Sequence, residues 1–535
     1  MSKKVEISII ALLIIFAFYC ALSIGSSWDE IIVMTRGEER LKYLFSLGSY
    51  ESSFTLYSLN ERFYPGFYPT VATFFKNMFP KKYEIEAWHL INSLFSIFTF
   101  FGIYKISSIL FNKKVGKIVF LLCFLNPIFF GHMAMNSKDT IVALSHVWST
   151  YIFLRYIKKQ NKNENCYRYV LLCGLAIGLG SGVRIPFVIT LLPLFLVAIF
   201  DILFFKKISN QHFSLKKFGS HLILVLLIAY FITISCWPNV HGNIFTEPFK
   251  LFSAQIKDNV FGIPWLLYNG KFLETNQLPV SYLIVNFFYK SPEFILLLYV
   301  VFIYFIILKK KFFISKFSNF WTKILLILFI FIFPTIVFII IPYNVYDGLR
   351  LFLYSIPYFN IIPGLALYYL IYNFNSLISK FFLGFVSILF IYYIYIFILL
   401  TPYQYTYLNK FIGNFSYAHQ KFENDYWAIS VKELIKKIPK ETNLIANDKK
   451  IKVTFCGAPH SLIKKDLNKV IKLNYEVGDL YSNEYEYVIM TNRVIGEKND
   501  NSLTNVKTCF EKFKGKDIIT VKRNGLILST LRKNN

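Results

Sequence analysis

Residues 7–40, ISIIALLIIFAFYCALSIGSSWDEIIVMTRGEER, join an apolar run to the adjacent acids Asp29 and Glu30. The apolar part, residues 7–25, is about 19 residues long, which is enough to cross a bilayer and exceeds the apolar core of a usual secretion signal. We therefore predict an uncleaved membrane anchor, with two carboxylates placed where the chain leaves the membrane.

The composition identifies the class of protein. The chain has 535 residues, of which 55% are hydrophobic, 19% aromatic and only 17% charged, far more apolar than a soluble domain. Its formal net charge of +27 would fit a nucleic-acid partner, but most Lys and Arg residues lie in short clusters between apolar runs or in the C-terminal tail. We predict a polytopic membrane protein in contact with membrane lipids, and no nucleic-acid partner.

Further apolar runs bring the number of predicted membrane helices to about eleven. After the first, they lie at residues 87–111, 115–130, 140–157, 169–183, 185–205, 218–237, 292–308, 323–341, 351–373 and 381–400. Lysine clusters occupy alternate short connections, and the positive-inside rule places these in the cytoplasm. This predicts that Asp29, the loop to residue 87, the loop at residues 238–278 and the tail lie outside the cytoplasm.

The predicted outer loops are long. Residues 60–80, NERFYPGFYPTVATFFKNMFP, are apolar but too short to span, which favours a helix lying in the interface, and residues 280–289 are similar. Helices of this kind can roof a cavity at the membrane surface. A transporter more often contains internal repeats with broken helices, and the sequence has no convincing repeat.

The tail, residues 401–535, has the composition of a small soluble α/β domain. Helical spacing covers residues 425–438, strand-like runs follow at residues 452–455 and 486–490, and Asn524-Gly525 predicts a tight hairpin. No catalytic motif is apparent in it. Cys456 and Cys509 can pair if the tail is outside the cytoplasm, and buried thiols fit the sequence equally well.

A second acid, Asp139, ends the stretch NPIFFGHMAMNSKD in the next predicted outer loop. It therefore lies on the same side of the membrane as Asp29 and at a similar depth. A carboxylate at a helix end is usually a solvated surface charge. Two such acids beneath interfacial helices favour a functional site instead.

These features resemble the GT-C glycosyltransferases of the protein O-mannosyltransferase and lipid A aminoarabinose transferase type. The resemblance rests on the first helix followed at once by Asp29-Glu30, on the long first outer loop, and on the second-loop acid. The stretches GHMAMNSKD, YNVYDGLR and PYQYTYLNKFIGNFSYAHQKFENDYW also look like a bacterial branch described as dolichyl-phosphate-mannose-protein mannosyltransferase-like.

The resemblance implies a GT-C-like transmembrane domain at residues 1–400 and an extracytoplasmic domain at residues 401–535. It also implies inverting transfer of a sugar from a polyprenyl phosphate to an acceptor. Asp29 is then the expected general base, since a carboxylate beside the reacting hydroxyl can accept its proton. Glu30 is expected to orient Asp29 or contact substrate, and Asp139 to hold acceptor or sugar hydroxyls.

The leaving phosphate needs positive charge at the same membrane face. Arg184 and Arg350 are the main candidates, because a guanidinium can bind phosphate oxygens through two nitrogens, and Arg62 is a weaker third. An arginine that reaches lipid headgroups is the alternative for each. We expect Tyr346 and Asp347 to order Arg350, with neutralisation of its charge by Asp347 as the alternative. We also expect hydrogen bonds to substrate from His132 and Asn136, although a lone His at a helix end is more often structural.

The predicted function needs no metal or other cofactor if arginines stabilise the phosphate. Its predicted partners are a polyprenyl-phosphate sugar and a lipid, glycan or protein acceptor. The repeat domains of eukaryotic protein mannosyltransferases have no recognisable counterpart here, which leaves a protein acceptor open. Two other classes stay open as well, a flippase or transporter of lipid-linked sugars and a non-catalytic scaffold for envelope assembly. The expected location is the plasma (inner) membrane.

Overall fold

The computed structural model describes residues 3–50, 61–210, 212–257, 264–341, 343–441, 451–470, 475–478, 485–496 and 505–534, and most of them are helical. The α-helices are α1 (Lys3–Ser23), α2 (Glu30–Phe45), α3 (Phe67–Lys76), α4 (Glu84–Leu110), α5 (Lys113–Phe124), α6 (Pro127–His132), α7 (Asp139–Gln160), α8 (Tyr167–Ser181), α9 (Phe187–Thr190), α10 (Leu192–Phe200), α11 (Leu215–Ser235), α12 (Glu247–Lys257), α13 (Tyr282–Lys290), α14 (Glu293–Leu308), α15 (Lys310–Lys316), α16 (Phe320–Ile340), α17 (Ile356–Phe359), α18 (Ile361–Tyr372), α19 (Leu377–Leu399), α20 (Val431–Glu441), α21 (His460–Val470) and α22 (Cys509–Lys512).

Short non-α turns connect several of these helices. The 3₁₀ segments are Glu61–Phe63, Lys81–Tyr83, Pro238–Val240, Arg350–Ser355, Gln404–Thr406, Lys410–Ile412 and Phe415–Gln420, and a π-helical turn covers Asp201–Phe205. The strands are β1 (Trp265–Tyr268), β2 (Lys271–Glu274), β3 (Ile451–Cys456), β4 (Tyr475–Val477), β5 (Tyr487–Thr491), β6 (Val494–Ile495), β7 (Lys507–Thr508), β8 (Lys516–Arg523) and β9 (Leu526–Lys533).

Six helical stretches among the described residues are long and apolar enough to cross a membrane, or seven if the bent pair α13–α14 is one span. They match the predicted spans at residues 7–25, 87–111, 218–237, 323–341, 351–373 and 381–400, and α14 matches residues 292–308. The predicted run at residues 115–130 is divided, because Asn126 caps a new helix that begins at Pro127. The count of eleven spans stays a prediction.

Burial separates central helices from peripheral ones. Helix α4 buries Trp88 and Phe100, and α7 is buried along almost its whole length, whereas α1, α11 and α19 expose Leu, Ile and Phe side chains. Exposed apolar side chains on long helices are what lipid tails would cover. The centre of the helical part is therefore formed by α4 and α7, and α7 begins at a residue of the polar cluster described below.

The predicted interfacial segment at residues 60–80 contains α3, which is amphipathic and packs on α2. It buries Tyr68 and Ala72 and leaves Phe74 and Phe75 exposed. Gly37 of α2 permits the close approach, since a Cβ at that position would lie 2.0 Å from Oγ1 of Thr73. The two helices form a short layer beside the end of α1.

The C-terminal residues form a mixed five-stranded sheet in the order β4-β3-β5-β9-β8. Strand β3 pairs in parallel with β4 and β5, while β9 pairs antiparallel with β5 and β8. The predicted hairpin is present, and Asn524 and Gly525 both have positive φ, of 48° and 83°, as a tight two-residue turn requires. The division of the chain at residue 400 stays a prediction.

Helix α20 begins later than its apolar spacing indicates, at Val431. The carboxylate of Asp425 accepts hydrogen bonds from the backbone N–H groups of Ile429 and Ser430, and Ala428 adopts a φ of 56°. Residues 425–430 therefore form a turn, and Trp427 within it lies beside Asp347.

Cys456 and Cys509 form a disulfide, with their Cα atoms 5.8 Å apart. It joins the end of β3 to the start of α22, so the pairing alternative of the sequence analysis is the one present. The other five cysteines are buried free thiols.

Candidate active site

The two predicted acids meet at one arginine. Arg350 donates from Nη2 to Oδ2 of Asp29 over 2.9 Å and from Nε to Oδ2 of Asp139 over 3.2 Å. Asp29 lies at the start of α2 and Asp139 is the first residue of α7. The arginine itself opens the 3₁₀ turn before α17. Three separate parts of the chain thus bring these side chains together.

A third carboxylate completes the surroundings of Arg350. Its Nη1 donates to Oδ2 of Asp347 over 2.8 Å, and its Cζ lies 4.5 Å from the ring centroid of Trp427. Each guanidinium nitrogen therefore has a carboxylate partner, and the aromatic ring covers one face. With only 6% of its side chain exposed, Arg350 is held rigidly.

Asp347 is shared between two arginines. Its Oδ1 accepts from Nη1 of Arg493 over 2.6 Å, and Nε1 of Trp427 donates to its other oxygen over 3.3 Å. Burial alone would raise the pKa of this carboxyl, but Arg493 and Arg350 outweigh burial and hold the pKa below its ordinary value. Asp347 itself has a φ of 57°, followed by 65° at Gly348, so a tight turn aims the carboxylate inward.

Asp29 is the most accessible of the three carboxylates, with a third of its side chain exposed. Lys138 lies beside it, with Nζ 3.5 Å from Oδ2 and 4.6 Å from the ring centroid of Tyr64. Burial would raise the pKa of Asp29, yet Lys138, Arg350 and Arg184 together hold the pKa well below its usual range. The carboxylate is therefore ionised and open to a ligand.

Asp139 is buried and has its two oxygens occupied. Its Oδ1 lies 3.0 Å from Nη2 of Arg184, and its Oδ2 accepts from Nδ2 of Asn136 over 3.0 Å as well as from Arg350. Burial opposes ionisation, but Arg184 and Arg350 prevail and lower the pKa of Asp139. Oδ1 of Asn136 also accepts from the backbone N–H of Asp139, which fixes the start of α7.

Arg184 lies in the turn between α8 and α9, and only part of its guanidinium group is bonded to other described residues. Its side chain is 24% exposed, and its buried Nε has no hydrogen-bond partner among the described residues. A buried N–H without a partner costs free energy unless a ligand or water satisfies it. Arg184 is thus the cluster's best-placed donor for an incoming anion.

The remaining predicted residues are placed differently. Glu30 points away from the cluster and lies 2.9 Å from Nε2 of His89, with both side chains 1% exposed. His132 is buried and shares a hydrogen bond of 2.8 Å with the hydroxyl of Tyr426. Burial is the main cause that lowers the pKa of His132 to about 3. A role of either residue at the substrate stays a prediction.

Tyr346 and Arg62 lie at the edge of the predicted set. The ring of Tyr346 has its centroid 5.4 Å from Cζ of Arg350, and its ordering role stays a prediction. The backbone carbonyl of Arg62 accepts from Nε1 of Trp237 over 2.8 Å, and its guanidinium lies over Phe63. No described contact joins the Arg62 side chain to the carboxylates.

Sequence reasoning missed Lys138, Trp427 and Arg493. Lys138 had a usable signal, since it is the only cation in the apolar loop that ends at Asp139. Trp427 falls within the predicted tail helix at residues 425–438, and Arg493 lies in a tail whose sequence has no apparent catalytic motif. Within the described ranges, no group of three or more His, Cys, Asp or Glu side chains has the arrangement of a metal site.

Comparisons with known proteins agree with this architecture. Residues 65–237 match a family model described as dolichyl-phosphate-mannose-protein mannosyltransferase. No curated protein sequence matches the chain.

Two solved structures share the fold over most of the chain. ArnT from Cupriavidus metallidurans, bound to undecaprenyl phosphate, is 10% identical with a TM-score of 0.51, and the match covers 99% of this chain and 98% of that one. The archaeal oligosaccharyltransferase AglB from Archaeoglobus fulgidus, in complex with an inhibitory peptide and a dolichol-phosphate, is 10% identical with a TM-score of 0.50, covering 90% of this chain and 69% of that one. The family match covers residues 65–237, and the two solved structures show that the chain shares their fold.

Proposed function

We propose that this protein transfers a sugar from a polyprenyl-phosphate donor to an acceptor hydroxyl at the extracytoplasmic face of the membrane, with inversion at the anomeric carbon. One observation carries the proposal. A one-third-exposed carboxylate, Asp29, lies at the end of a predicted membrane anchor among three cations, Lys138, Arg184 and Arg350. A base and a phosphate site are thus adjacent at one membrane boundary.

In the proposed reaction, the acceptor oxygen attacks the anomeric carbon and the bond from that carbon to the phosphate oxygen breaks. The polyprenyl phosphate leaves with the bonding electrons, and the acceptor proton passes to Asp29. The exposure of Asp29 lets an acceptor reach it, and an ionised carboxylate can accept a proton.

The low pKa of Asp29 in the ligand-free protein makes it a weak base, and binding of the donor would raise that pKa. A phosphate that takes hydrogen bonds from Arg184, Lys138 and Arg350 adds negative charge beside Asp29 and weakens its contacts with those cations. Both effects raise the pKa of Asp29 toward the range that suits a base. Donor binding would thereby prepare the site for the acceptor.

Asp139 has a second role in this proposal. Three donors already occupy its oxygens, so one lone-pair position is left for a sugar or acceptor hydroxyl. Its main contribution is to set the distance between Arg184 and Arg350, because it contacts both. Loss of Asp139 would therefore disturb the phosphate site as well as any hydroxyl contact.

The donor class is supported by chemistry and by the structural neighbours. Planar guanidinium groups suit phosphate oxygens. The solved ArnT structure contains undecaprenyl phosphate and the AglB structure contains a dolichol-phosphate. For this chain we propose a polyprenyl-phosphate sugar as donor, and a lipid, glycan or protein as acceptor.

The proposed arrangement in the membrane has about eleven spans and the tail outside the cytoplasm, in the plasma membrane of a bacterium. The Cys456–Cys509 disulfide supports this side for the tail, since stable disulfides form in oxidising compartments. Arg350 contacts both Asp29 and Asp347, and Asp347 also accepts a hydrogen bond from Arg493 of the tail. These contacts support placing the site at the same membrane face as the tail.

Profiling of lipid-linked sugars tests the function. Cells that lack the protein should accumulate one polyprenyl-phosphate sugar, wild-type protein should restore its use, and an Asp29→Asn protein should not. Purified protein should transfer that sugar in nanodiscs. Lipid transport without any sugar transfer by purified protein would favour the flippase alternative, and restoration by Asp29→Asn would favour a scaffold.

A further inference from the structure

The C-terminal sheet reaches the proposed active site through one side chain. Arg493, between β5 and β6, donates from Nη1 to Oδ1 of Asp347 over 2.6 Å, and the other oxygen of Asp347 accepts from Arg350. Arg350 in turn donates to Asp29. A continuous line of ion pairs thus runs from the sheet to the proposed base.

The segment that carries Arg493 is held on one side by hydrogen bonds to residues 422–424. Asn492 donates from Nδ2 to the carbonyl of Phe422 over 2.8 Å, and its Oδ1 accepts from the backbone N–H of Asn424. The backbone N–H of Val494 donates to Oε1 of Glu423 over 2.9 Å. Contacts on both sides of Arg493 therefore leave it little freedom to move away from Asp347.

The disulfide fixes the same segment from the opposite side. The backbone N–H of Cys509 donates to the carbonyl of Arg493 over 2.9 Å. Gly457, which follows the partner cysteine and has a φ of 70°, packs so closely that a Cβ there would lie 2.6 Å from Cβ of Arg493. The Cys456–Cys509 bond thus joins the two segments that contact Arg493, one at Gly457 and the other at Cys509.

We propose that Arg493 is a positioning residue for sugar transfer, which acts through Asp347 to hold Arg350 against Asp29, and that the Cys456–Cys509 disulfide keeps it in place. This inference rests on the proposed function for its catalytic consequence. Without Arg493, Asp347 has one cation instead of two and draws Arg350 toward itself. Asp29 then loses part of the positive charge that keeps it ionised.

Other charged groups surround both ends of this line. The groups that face Asp29 are Lys138, Arg184 and Arg350. The groups that face Arg493 are Asp347, Glu423 and Arg350. Other titratable groups lie near the arginines between these two ends, namely Asp139, Lys290, His132, Tyr64 and Tyr346. Arg493→Gln removes one cation from this set and adds none. The protonated fraction of Asp29 at a given pH should rise as a result.

Carbodiimide labelling of Asp29 measures that fraction without any need for activity, because only the protonated carboxyl reacts. Full-length protein in nanodiscs is labelled at pH 5 and the Asp29 peptide is quantified by mass spectrometry. We expect about tenfold faster labelling in Arg493→Gln, corresponding to a pKa rise of about one unit. Arg493→Lys, which keeps the charge, should show a much smaller increase.

A matched control is available in the same sheet. Arg523 pairs with Glu433 over 2.5 Å and has no described contact with Asp347 or with the disulfide-linked segment, so Arg523→Gln removes a comparable pair and should leave Asp29 labelling unchanged. Turnover by Arg493→Gln should fall by up to about a hundredfold, since small misplacements have large effects on rate. Donor affinity should fall as well, because Arg350 is also part of the proposed phosphate site.

A second measurement does not depend on the folding of a variant. Wild-type protein in which the disulfide has been reduced, as verified by mass spectrometry, should show part of the same increase in Asp29 labelling. Equal labelling in wild-type, Arg493→Gln and reduced protein would overturn the inference. Absence of sugar transfer by wild-type protein would instead contradict the proposed function, and the labelling result would still decide the role of Arg493.

Discussion

Arg350 donates from Nη2 to Oδ2 of Asp29 over 2.9 Å, although 321 positions separate the two residues in the sequence. The contact joins the link after the first membrane helix to the turn before α17. It means that the proposed base and the central cation of the proposed phosphate site are not independent. A change in either residue should alter the charge and position of the other.

The two arginines should respond differently to replacement by lysine. Arg184→Lys should fold normally and bind a polyprenyl phosphate about tenfold more weakly, because lysine lacks the Nε donor that has no partner in the described structure. Arg350→Lys should also lose stability, about 3 kcal/mol or more, since three carboxylates then share one ammonium group.

Binding of the polyprenyl phosphate alone, measured beside thermal unfolding in the same detergent, separates these effects. Arg62→Lys serves as a control, because no described contact connects that side chain with the cluster. Unchanged donor affinity in both Arg184→Lys and Arg350→Lys would contradict the phosphate site and favour the alternative, in which these arginines contact lipid headgroups.

The pH dependence of stability should expose the ion pairs of Asp139. Its pKa in the folded protein is held below the ordinary value of about 3.9, so the unfolded chain takes up a proton first as the pH falls. The stabilisation is therefore complete at neutral pH and is lost as the pH drops below about 4. Asp139→Asn should melt at a lower temperature than wild type at pH 7, and the gap should narrow toward pH 3. A gap that stays constant over this range would exclude an ionised Asp139.

Glu30 should prove structural. It lies 2.9 Å from Nε2 of His89 and accepts the backbone N–H of Ser27 over 2.5 Å, all three groups being buried. Glu30→Gln should reduce the free energy of unfolding by about 1–3 kcal/mol, while the transfer rate of the folded fraction stays within about threefold of wild type. A much larger loss of rate with unchanged stability would give Glu30 a direct role with substrate.

The proposed orientation can be tested on intact cells with a membrane-impermeant maleimide. Trp28→Cys and Lys516→Cys introduce thiols at exposed positions, and the five native free cysteines are buried, which keeps the background low. Both should be labelled from outside. Lys311→Cys, in a predicted cytoplasmic loop, should react only after permeabilisation. Labelling of only one of the first two variants would mean that the number of spans between them is odd.

The sequence was most informative where local chemistry sufficed. An apolar run of spanning length, followed at once by Asp29, marks a boundary without any tertiary information, and the same argument applies to Asp139. The tight turn at Asn524-Gly525 was predictable because both positions need positive φ. Arg184 and Arg350 were found for a similar reason, as they stand between or before apolar runs.

The missed residues depend on long-range packing. Arg493 lies between the short strands β5 and β6, and only the fold brings it 2.6 Å from Asp347, 146 positions away. Trp427 matched a helical spacing, but the hydrogen bonds of Asp425 form a turn there and direct the indole to Arg350. Glu30 could not be distinguished from Asp29 in sequence, since only burial against His89 separates their roles.

The central claim is that Asp29 is the base for sugar transfer, and single-turnover transfer by Asp29→Asn in nanodiscs tests it most directly. A positioned base contributes about a hundred- to ten-thousandfold in rate. Asp29→Asn should therefore lose transfer to this extent, while it still binds the polyprenyl-phosphate sugar and melts within a few degrees of wild type, because its side chain is one-third exposed. Transfer by Asp29→Asn at the wild-type rate would contradict the assignment.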